Sequence, residues 1–322
     1  MSRHQAGSTV VRVLAVTSMY PVKRDPGLGA FVATQIDSLR NLGVEIDVVF
    51  LDVKQSKWEL LGGITEVRRK VHSERYDLAH VHFGYNGIPV SLQREIPFVV
   101  SFCGTDLASP KFRAISRWVS RRAAACIVKS EEMQQYLDIP THVVPNGIDL
   151  DHFQPMSKLR ARQRLGLPEK GRLALFVSNP DRIEKQYELA DLALATVRQR
   201  GQGIDPLVVF NKPHRELPTY MNAADLLLLT SSREGSPNAI KEAMACNLPI
   251  VSTDVGDVRQ VIGTTDNCVL ADASPEDIAR GIEQVLDTGR RTNGRESIVS
   301  LSAEVIGRRV LDIYTSVLED RS

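Results

Sequence analysis

Short apolar runs alternate with helical patterns along the whole chain, and this alternation starts twice. In the first half the apolar runs are VRVLAVT, GVEIDVVF, DLAHVHF, PFVVSF, AACIVKS and THVVPN. In the second half they are RLALFVS, DPLVVFN, DLLLLTS, PIVSTD and NCVLAD. Such runs, separated by helices, are typical of strands buried in parallel sheets. The sequence therefore predicts an α/β protein with two doubly wound parallel sheets, whose ligand-binding loops follow the carboxyl ends of the strands.

The segment between the two series, residues 146–171, is rich in proline, glycine and charge and has no strand pattern. We interpret it as the connection between a first domain over residues 1–155 and a second domain over residues 156–302. A final helix is predicted over residues 303–322. Its apolar stripe consists of Val305, Ile306, Val310 and Ile313. Because this stripe is too long for solvent exposure, we expect the helix to pack against a domain.

Composition and cysteine spacing exclude several classes of protein. The net charge of +1 over 322 residues argues against bulk electrostatic binding of nucleic acid. The four cysteines are far apart and lack metal-ligand spacing, which excludes a disulfide framework and favours a reducing cytoplasm. Arg12 interrupts the first apolar run, so this run indicates a buried strand and not a secretory signal. No run reaches the ~18 apolar residues of a membrane span.

Two glutamates stand eight residues apart in the stretch SSREGSPNAIKEAMA. The run DLLLLTS before it predicts a buried strand. The segment PNAIKEAMA predicts a helix, with Pro237 at its first position and Ser236 as its N-cap. The unpaired amides at such a helix start attract an anion, with a contribution of about 0.3–1 kcal/mol. A phosphate group fits this position.

Helical periodicity places Glu242 one turn beyond Asn238, on the face that points to the ligand. The residues predicted to face the sheet are Ile240, Ala243 and Met244. Glu234 lies in the loop before the helix, on the other side of the predicted phosphate site. Two carboxylates that only accept hydrogen bonds suit hydroxyl groups on both sides of a diphosphate. A nucleoside diphosphate sugar has that layout.

The motif E-G-S-P-N-x-x-x-E-A-M-A-C-x-x-P-I-V-S resembles the donor-site signature of family-4 retaining glycosyltransferases of the GT-B fold. Further similar motifs, in the family's order, include MYPVKRDPGLGAFVATQ, DLAHVHFGYNG, VVSFCGTDL, VVPNGIDLDHFQP, FVSNPDRIEK and MNAADLLLLTS. The similarity runs from Val11 to about Tyr314 and is closest to members that build bacterial capsule, exopolysaccharide or teichuronic-acid-type chains.

This resemblance implies two Rossmann-like domains that face a central cleft. The first domain would lie on the acceptor side, and the second would bind the nucleotide-sugar donor. The final helix is then expected to cross back onto the first domain. We expect the protein in the cytoplasm, with peripheral contact at the inner face of the cell membrane. The basic amphipathic helix at residues 111–122 is a candidate for that contact, although an ordinary surface helix fits the same pattern.

The resemblance also implies a reaction. A sugar would pass, with retention at its anomeric carbon, from a nucleotide-diphosphate sugar to a hydroxyl group. We expect a UDP- or GDP-sugar as the donor and a sugar or polyprenyl-linked glycan as the acceptor. We expect neither a metal ion nor a resident cofactor. The family's route is a front-side attack in which the leaving phosphate helps to deprotonate the acceptor.

Individual roles follow from the same resemblance. The expected catalytic residues are Glu234, Arg182, Lys185 and Asp106. The expected donor-binding residues are Gly29, Cys103, Asn146, Asn211, Gly235, Ser236, Pro237, Asn238 and Glu242. Among them, Glu242 would hold the ribose and Glu234 the transferred sugar, while Arg182 and Lys185 would clamp the diphosphate. A cap on the following turn is the alternative role for Asp106.

The sequence departs from the family pattern at two places. Cys103 stands where many relatives have histidine, and residues 178–180 (SNP) stand where Gly-Arg-Leu is common. We expect Cys103 to line the cleft without acting as a nucleophile, because no cationic neighbour in the local sequence would lower its pKa. Asp149 and Asp151 form an Asp-x-Asp in the connection, where a metal site is not expected.

Two other functions remain open from the sequence. A sugar-nucleotide epimerase would need an acid and a base beside the sugar, for which the candidates are His82, Cys103 and Asp106. A non-catalytic, two-lobe binding protein would explain the missing histidine. His80 and His82 alternate along AHVHF, from which we expect only one to face a given side of the sheet, as a buried or strand-end histidine.

Overall fold

The computed structural model describes residues 10–53 and 58–321. Residues 1–9, which the sequence assigns to the first domain, lie outside this description. The described chain forms two parallel β-sheets, with six strands in the first and five in the second. Every predicted apolar run contains one of these strands, so the prediction of two parallel α/β units is confirmed. Among the described residues, no helix is both long and apolar enough to cross a membrane.

The first sheet and its helices occupy the amino-terminal half. The strands are β1 (Arg12–Thr17), β2 (Glu45–Phe50), β3 (Leu78–His82), β4 (Phe98–Ser101), β5 (Ala125–Val128) and β6 (His142–Val143). The helices are α1 (Ala30–Asn41), α2 (Glu59–Ser73), α3 (Gly87–Ser91), α4 (Thr105–Ala108) and α5 (Pro110–Ser120), with 3₁₀ helices at Gly84–Asn86 and Glu131–Tyr136. The strand order is β2-β1-β3-β4-β5-β6. One face packs on α2 and α5, and the other packs on α1.

The second sheet follows the connection. Its strands are β7 (Leu173–Phe176), β8 (Asp205–Val208), β9 (Leu226–Leu229), β10 (Ile250–Thr253) and β11 (Cys268–Ala271), in the order β11-β10-β9-β7-β8. The helices are α6 (Lys158–Leu165), α7 (Tyr187–Gln199), α8 (Leu217–Ala223), α9 (Asn238–Ala245), α10 (Val258–Ile262), α11 (Pro275–Thr288), α12 (Gly294–Ser297) and α13 (Ala303–Glu319). Short 3₁₀ helices lie at Ile183–Lys185, His214–Glu216 and Val299–Leu301. One face packs on α7 and α11, and the other on α8, α9 and α10.

The connecting segment is more ordered than a spacer. Ile148 and Phe153 are buried in the second core, and α6 follows them. Arg162 of α6 is almost fully buried and donates to Asp225 Oδ2 at 2.8 Å and to the carbonyl oxygen of Ala223 at 2.9 Å. The predicted boundary between residues 155 and 156 stays a prediction.

Helix α13 packs on the first half of the protein. Ile306, Val310 and Tyr314 are buried in the same apolar cluster as the inward face of α1. Ser38 Oγ of α1 donates to the carbonyl oxygen of Ala303 at 2.6 Å. Val305 is 37 % exposed, so its predicted place in the apolar stripe is wrong. The helix rotates by about 100° per residue, which turns Val305 away from the face that Ile306 buries.

His80 and His82 lie on the same side of β3, because residues two apart on a strand share a face. Their rings stack with centroids 4.3 Å apart, so the expectation that only one would face a given side is wrong. His80 bonds Tyr314 Oη at 2.6 Å and Ser101 Oγ at 2.8 Å, and His82 bonds Gln35 Oε1 at 2.8 Å. Burial lowers the pKa of His80 to about 3 and the pKa of His82 well below 6.5. Both are neutral core histidines.

Candidate active site

Loops after the carboxyl ends of both sheets enclose a pocket of about 360 Å³. Loops that follow β1, β3 and β4 form one wall, and loops that follow β7 and β9 form the other. The predicted site residues that line it are Gly29, Cys103, Asn146, Arg182, Lys185, Glu234, Gly235, Ser236, Pro237, Asn238 and Glu242. Within the described chain, Asp106 and Asn211 do not line it. The structure thus brings together residues from both halves of the sequence.

The loop between β9 and α9 lies directly against the first half of the protein. A Cβ atom built on Gly235 would lie 2.9 Å from the carbonyl oxygen of Cys103. A Cβ atom built on Gly256, whose φ is +59°, would lie 2.5 Å from the carbonyl oxygen of Gly235. A side chain at either glycine would therefore displace the loop that carries Glu234.

Helix α9 begins at Asn238, with Pro237 in the N-cap position, one residue later than predicted. Ser236 was predicted as the cap, but its Oγ donates to Asp257 Oδ2 at 2.5 Å and accepts from Lys241 Nζ. The prediction that Ser236 caps the helix is wrong, because its hydroxyl is hydrogen-bonded to Asp257 and Lys241. The first-turn amides of α9 are left without a side-chain cap in the described chain, and they begin at the pocket wall.

Lys241 was not singled out from the sequence. Its side chain is 1 % exposed, and Nζ lies 3.3 Å from Asp257 Oδ2. Burial lowers its pKa, and the charge of Asp257 opposes that shift. Lys241 and Met244 are three residues apart and therefore lie on neighbouring positions of one helix face. Because Met244 was predicted to face the sheet, the sequence could have indicated that Lys241 is buried. Asn146 Nδ2 donates to Asn238 Oδ1 at 3.1 Å and joins the connection to the start of α9.

Glu234 and Lys185 form an ion pair at the pocket wall. Lys185 Nζ donates to Glu234 Oε1 at 2.5 Å, and Ser231 Oγ donates to the same oxygen at 2.8 Å. Both side chains of the pair are mostly buried, with 18 % and 17 % exposure. The predicted sugar acceptor and one predicted phosphate cation therefore contact each other in the ligand-free protein.

Arg182 lies in the loop between β7 and α7, at the mouth of the pocket. Its side chain is 53 % exposed, and Nε donates to Glu184 Oε1 at 2.8 Å. The 3₁₀ helix Ile183–Lys185 separates it from α7. Arg182 and Lys185 thus stand on the β7–α7 loop, at the carboxyl end of the strand where they were predicted.

Glu242 is 5 % exposed and lines the pocket from the second turn of α9. His214 Nε2 donates to Glu242 Oε1 at 2.8 Å. Burial acts to lower the pKa of His214, but the hydrogen bond and charge of Glu242, with Asp149, raise it above 6.5. Asn211 was expected near the nucleobase, largely through its backbone; it is exposed, has a φ of 53° and does not line the pocket. The loop after β8 turns at Asn211 and presents His214 instead, a residue that sequence analysis missed.

Gly29 brings the loop between β1 and α1 into close contact with the residues that follow β1. Its φ is +62°, and a Cβ atom there would lie 2.2 Å from the carbonyl carbon of Met19. Helix α1 begins at the next residue, Ala30, which also lines the pocket. Only glycine fits both the backbone conformation and the contact, so this position brings the start of α1 to the cleft.

Cys103 and Asp106 share one loop but differ in access to the pocket. Cys103 is partly exposed at the pocket, and burial, with the charge of Asp106, raises the pKa of its thiol to about 12. Asp106 is 1 % exposed and accepts backbone N–H groups of Gly84, Cys103 and Gly104 at 2.9 to 3.3 Å. The capping role left open for Asp106 fits this geometry, and contact with a ligand does not.

The Asp-x-Asp of the connection shapes a turn. Asp149 Oδ1 accepts the backbone N–H groups of Asp151 and His152, both at 2.9 Å. Across the described ranges, no group of three or more histidine, cysteine, aspartate or glutamate side chains is arranged to hold a metal ion. Backbone capping therefore accounts for Asp149.

Comparison with known proteins places this geometry in a family. The model of Glycosyltransferase Family 4 matches residues 25–152, and that of Glycosyl transferases group 1 matches residues 193–288. TuaC of Bacillus subtilis (strain 168), a glycosyltransferase named for teichuronic acid biosynthesis, is 27 % identical over 84 % of this chain and 88 % of its own. A D-inositol 3-phosphate glycosyltransferase of Thermobispora bispora is 23 % identical over 80 % of this chain and 75 % of its own.

Solved structures share the fold at low sequence identity. Sucrose-phosphate synthase from Thermosynechococcus elongatus superposes with a TM-score of 0.80 at 17 % identity, over 96 % of this chain and 100 % of its own. Anabaena HepE in complex with UDP and glucose gives a TM-score of 0.72 at 17 % identity, over 95 % and 100 %. The predicted GT-B fold is confirmed. The two family models together match most of the chain, which belongs to the family-4 (group 1) glycosyltransferases of the GT-B fold.

Proposed function

We propose that the protein transfers a sugar from a nucleoside diphosphate sugar to a hydroxyl group, with retention at the anomeric carbon. The observation that carries this proposal is the convergence of a helix start, two carboxylates and two cations on one pocket of about 360 Å³. Carboxylates flank the helix start on both sides. That order matches the ribose, diphosphate and sugar of such a donor.

Glu242 would bind the ribose. In the described chain its Oε1 accepts from His214, while Oε2 carries no such bond and can accept from a ribose hydroxyl. His214 thereby fixes the orientation of the carboxylate. The nucleobase would lie against the loop after β8, where His214 and Leu217 line the pocket.

Glu234 and Gly235 would bind the transferred sugar. Among the described residues, Lys185 and Ser231 both donate to Oε1 of Glu234, which leaves Oε2 for a sugar hydroxyl. The Gly235 backbone contacts the Cys103 loop, so a sugar held here would lie against the first half of the protein. The acceptor would approach from that side.

Arg182, Lys185 and the first amides of α9 would stabilise the charge that develops on the leaving diphosphate. Because these groups supply positive charge at the phosphate, we propose that turnover needs no metal ion. In this proposal Glu242 binds the ribose and Glu234 binds sugar hydroxyls, so neither carboxylate is assigned the role of nucleophile. We therefore propose the front-side route, in which the leaving phosphate helps to deprotonate the acceptor.

We further propose a role in the synthesis of bacterial cell-surface polysaccharide, at the cytoplasmic face of the membrane. Similarity to TuaC supports the pathway, and the UDP in the HepE complex supports a uridine donor. A polyprenyl-linked acceptor would bring the protein to anionic lipid, where each basic residue of the segment 111–122, which contains most of α5, would contribute about 1 kcal/mol. Two of these residues are engaged locally, since Arg121 pairs with Asp138 and Arg122 lies over Trp118.

The three residues considered as the acid and base of an epimerase are poorly placed for that chemistry. His82 is buried and bonded to Gln35. The Cys103 thiol, with its raised pKa, stays protonated at neutral pH, and Asp106 is enclosed by backbone N–H groups. The three candidates for that chemistry are therefore unsuited to it.

The proposal is tested by incubating the purified protein with a panel of UDP- and GDP-sugars without an acceptor. We expect slow release of free sugar and nucleoside diphosphate from at least one donor, because water can replace a missing acceptor. Recovery of a new nucleotide sugar would indicate an epimerase. Binding without turnover would indicate a non-catalytic protein.

A further inference from the structure

Lys129 is a buried lysine that the proposed mechanism does not use. It follows β5 directly and is 2 % exposed. In the described residues it has no hydrogen bond and no ion pair, unlike the equally buried Lys241, which bonds Asp257 and Ser236. Burial of an ammonium without a direct protein partner carries a desolvation cost.

No described group around Lys129 pairs directly with its charge. Those that interact with it electrostatically are Cys103, Asp106, Lys241, His80 and His82. The two histidines and the thiol are neutral at pH 7, and Lys241 is another cation. Asp106 is the one carboxylate in this set, and its charge favours the ammonium, but its oxygens accept three backbone N–H groups and do not bond the lysine. Among the described residues, Lys129 therefore has no direct anionic partner.

Lys129 also lies close to the proposed donor site. Its neighbour Cys103 lines the pocket, and Lys241 holds Ser236, which lines the pocket from the other half. The chain that follows Lys129 brings Met133 Sδ to 3.3 Å from a Cβ atom built on Gly235. Lys129 thus stands behind the wall against which a donor would bind.

We infer that Lys129 is a countercharge for the diphosphate of the donor, a positioning residue that acts through the pocket wall at Cys103 and Ser236. This inference rests on the proposed function, which puts an anionic donor in the pocket. The diphosphate would bring further negative charge to the surroundings of Lys129. Binding therefore stabilises the ammonium, and the ammonium strengthens binding.

The inference predicts that donor binding is coupled to proton uptake by the protein. Burial lowers the pKa of Lys129 in the free protein, and a nearby diphosphate raises it again. At a pH between these two values, donor binding takes up a proton, and donor affinity falls as the pH rises. A nucleotide sugar is a suitable probe, because its diphosphate has no group that titrates near neutral pH.

The test compares the wild type with Lys129→Met and with the exposed control Lys170→Met, using the UDP- or GDP-sugar that the panel identifies. Titration calorimetry in two buffers of different ionisation enthalpy reports affinity and proton uptake. We expect Lys129→Met to bind about tenfold more weakly and to take up fewer protons than the wild type, while any proton uptake by His214 is common to both proteins. We expect Lys170→Met to match the wild type, and the ligand-free Lys129→Met protein to melt at the same or a higher temperature.

Equal affinity and equal proton uptake in Lys129→Met would overturn the inference, and so would a lower melting temperature of its ligand-free form. Lys129→Gln repeats both measurements with a polar side chain, and the same loss of proton uptake is expected. If the wild type binds no nucleotide sugar of the panel, the proposed function fails first. If the wild type binds and Lys129→Met binds as well, only the role of Lys129 fails.

Discussion

In the proposed function, different residues of the pocket bind different parts of the donor. Glu242 and Glu234 each have one oxygen bonded inside the protein, to His214 and to Lys185 respectively. Each carboxylate is thus oriented before a ligand arrives. Preorganised acceptors lose little freedom on binding, so we expect their removal to weaken donor binding.

Glu242→Ala is expected to raise the donor KM while kcat changes less, because we propose that the carboxylate contacts the ribose and not the reacting carbon. Loss of hydrogen bonds to a charged acceptor costs about 1.5–3 kcal/mol, which corresponds to roughly a 10- to 150-fold rise. Steady-state kinetics measure this, with the exposed Glu276→Ala as the matched control. An unchanged donor KM and dissociation constant would remove Glu242 from the ribose.

Cys103→Ser should keep most of the activity, because the raised thiol pKa leaves almost no thiolate at pH 8. Alkylation by iodoacetamide should be slow at pH 8, quicken as the pH rises, and be blocked by bound donor. The adducted protein should be inactive, because a bulky group would fill the sugar pocket. Loss of turnover in Cys103→Ser with intact donor affinity would show that the sulfur takes part in the chemistry.

Most residues that line the pocket were predicted from the sequence, but the hydrogen bonds and ion pairs among them were not. The positions of Glu234 and Glu242 follow from strand and helix periodicity, which are local. The bonds of Ser236 depend on Asp257, 21 residues away, and on the burial of Lys241. His214 lines the pocket and Asn211 does not, because the loop after β8 turns at Asn211, whose φ is positive. Such contacts depend on tertiary packing, which local patterns do not report.

At the scale of elements, the strands were predicted because both sheets are buried on both faces and their strands are continuous apolar runs. The buried face of α13 was harder to predict, because several faces of this helix carry apolar residues. Ile306 is 1 % exposed and Val305 is 37 % exposed, although they are neighbours in sequence. The packing of α13 on α1 decides which of the two contributes to the core.

Ile306→Ala is expected to lower the free energy of unfolding by about 2–5 kcal/mol, because it opens a cavity between α13 and α1. Val305→Ala is the control on the same helix, and its change should stay within about 0.5 kcal/mol. Urea denaturation followed by circular dichroism measures both. Similar losses for the two variants would contradict the packing of α13 on the first half.

At the scale of the whole molecule, the two sheets hold one pocket between them, and Gly235 brings the second half against the Cys103 loop. Closure around the donor would exclude water from the reacting sugar. The cations that line this pocket, Arg182 and Lys185, lie on the loop after β7 in the second half. In the proposed mechanism the second half contacts the diphosphate directly, Lys129 of the first half acts on it through the pocket wall, and the acceptor approaches from the first half.

Turnover is expected to survive EDTA, because in the proposed mechanism Arg182, Lys185 and the start of α9 supply the positive charge at the phosphates. The measurement is the rate of donor hydrolysis before and after treatment with EDTA and desalting. Loss of activity that Mg²⁺ or Mn²⁺ restores would contradict it. Lys185→Met should lower kcat whether or not Mg²⁺ is added.

The central claim is retaining transfer from a nucleoside diphosphate sugar, and proton NMR of the anomeric signal tests it most directly. The protein is mixed with the donor identified by the panel, and the first sugar released is observed before it mutarotates. The account predicts nucleoside diphosphate together with sugar of the same anomeric configuration as the donor. Sugar of the opposite configuration, or no consumption of any nucleotide sugar by the wild type, would contradict it.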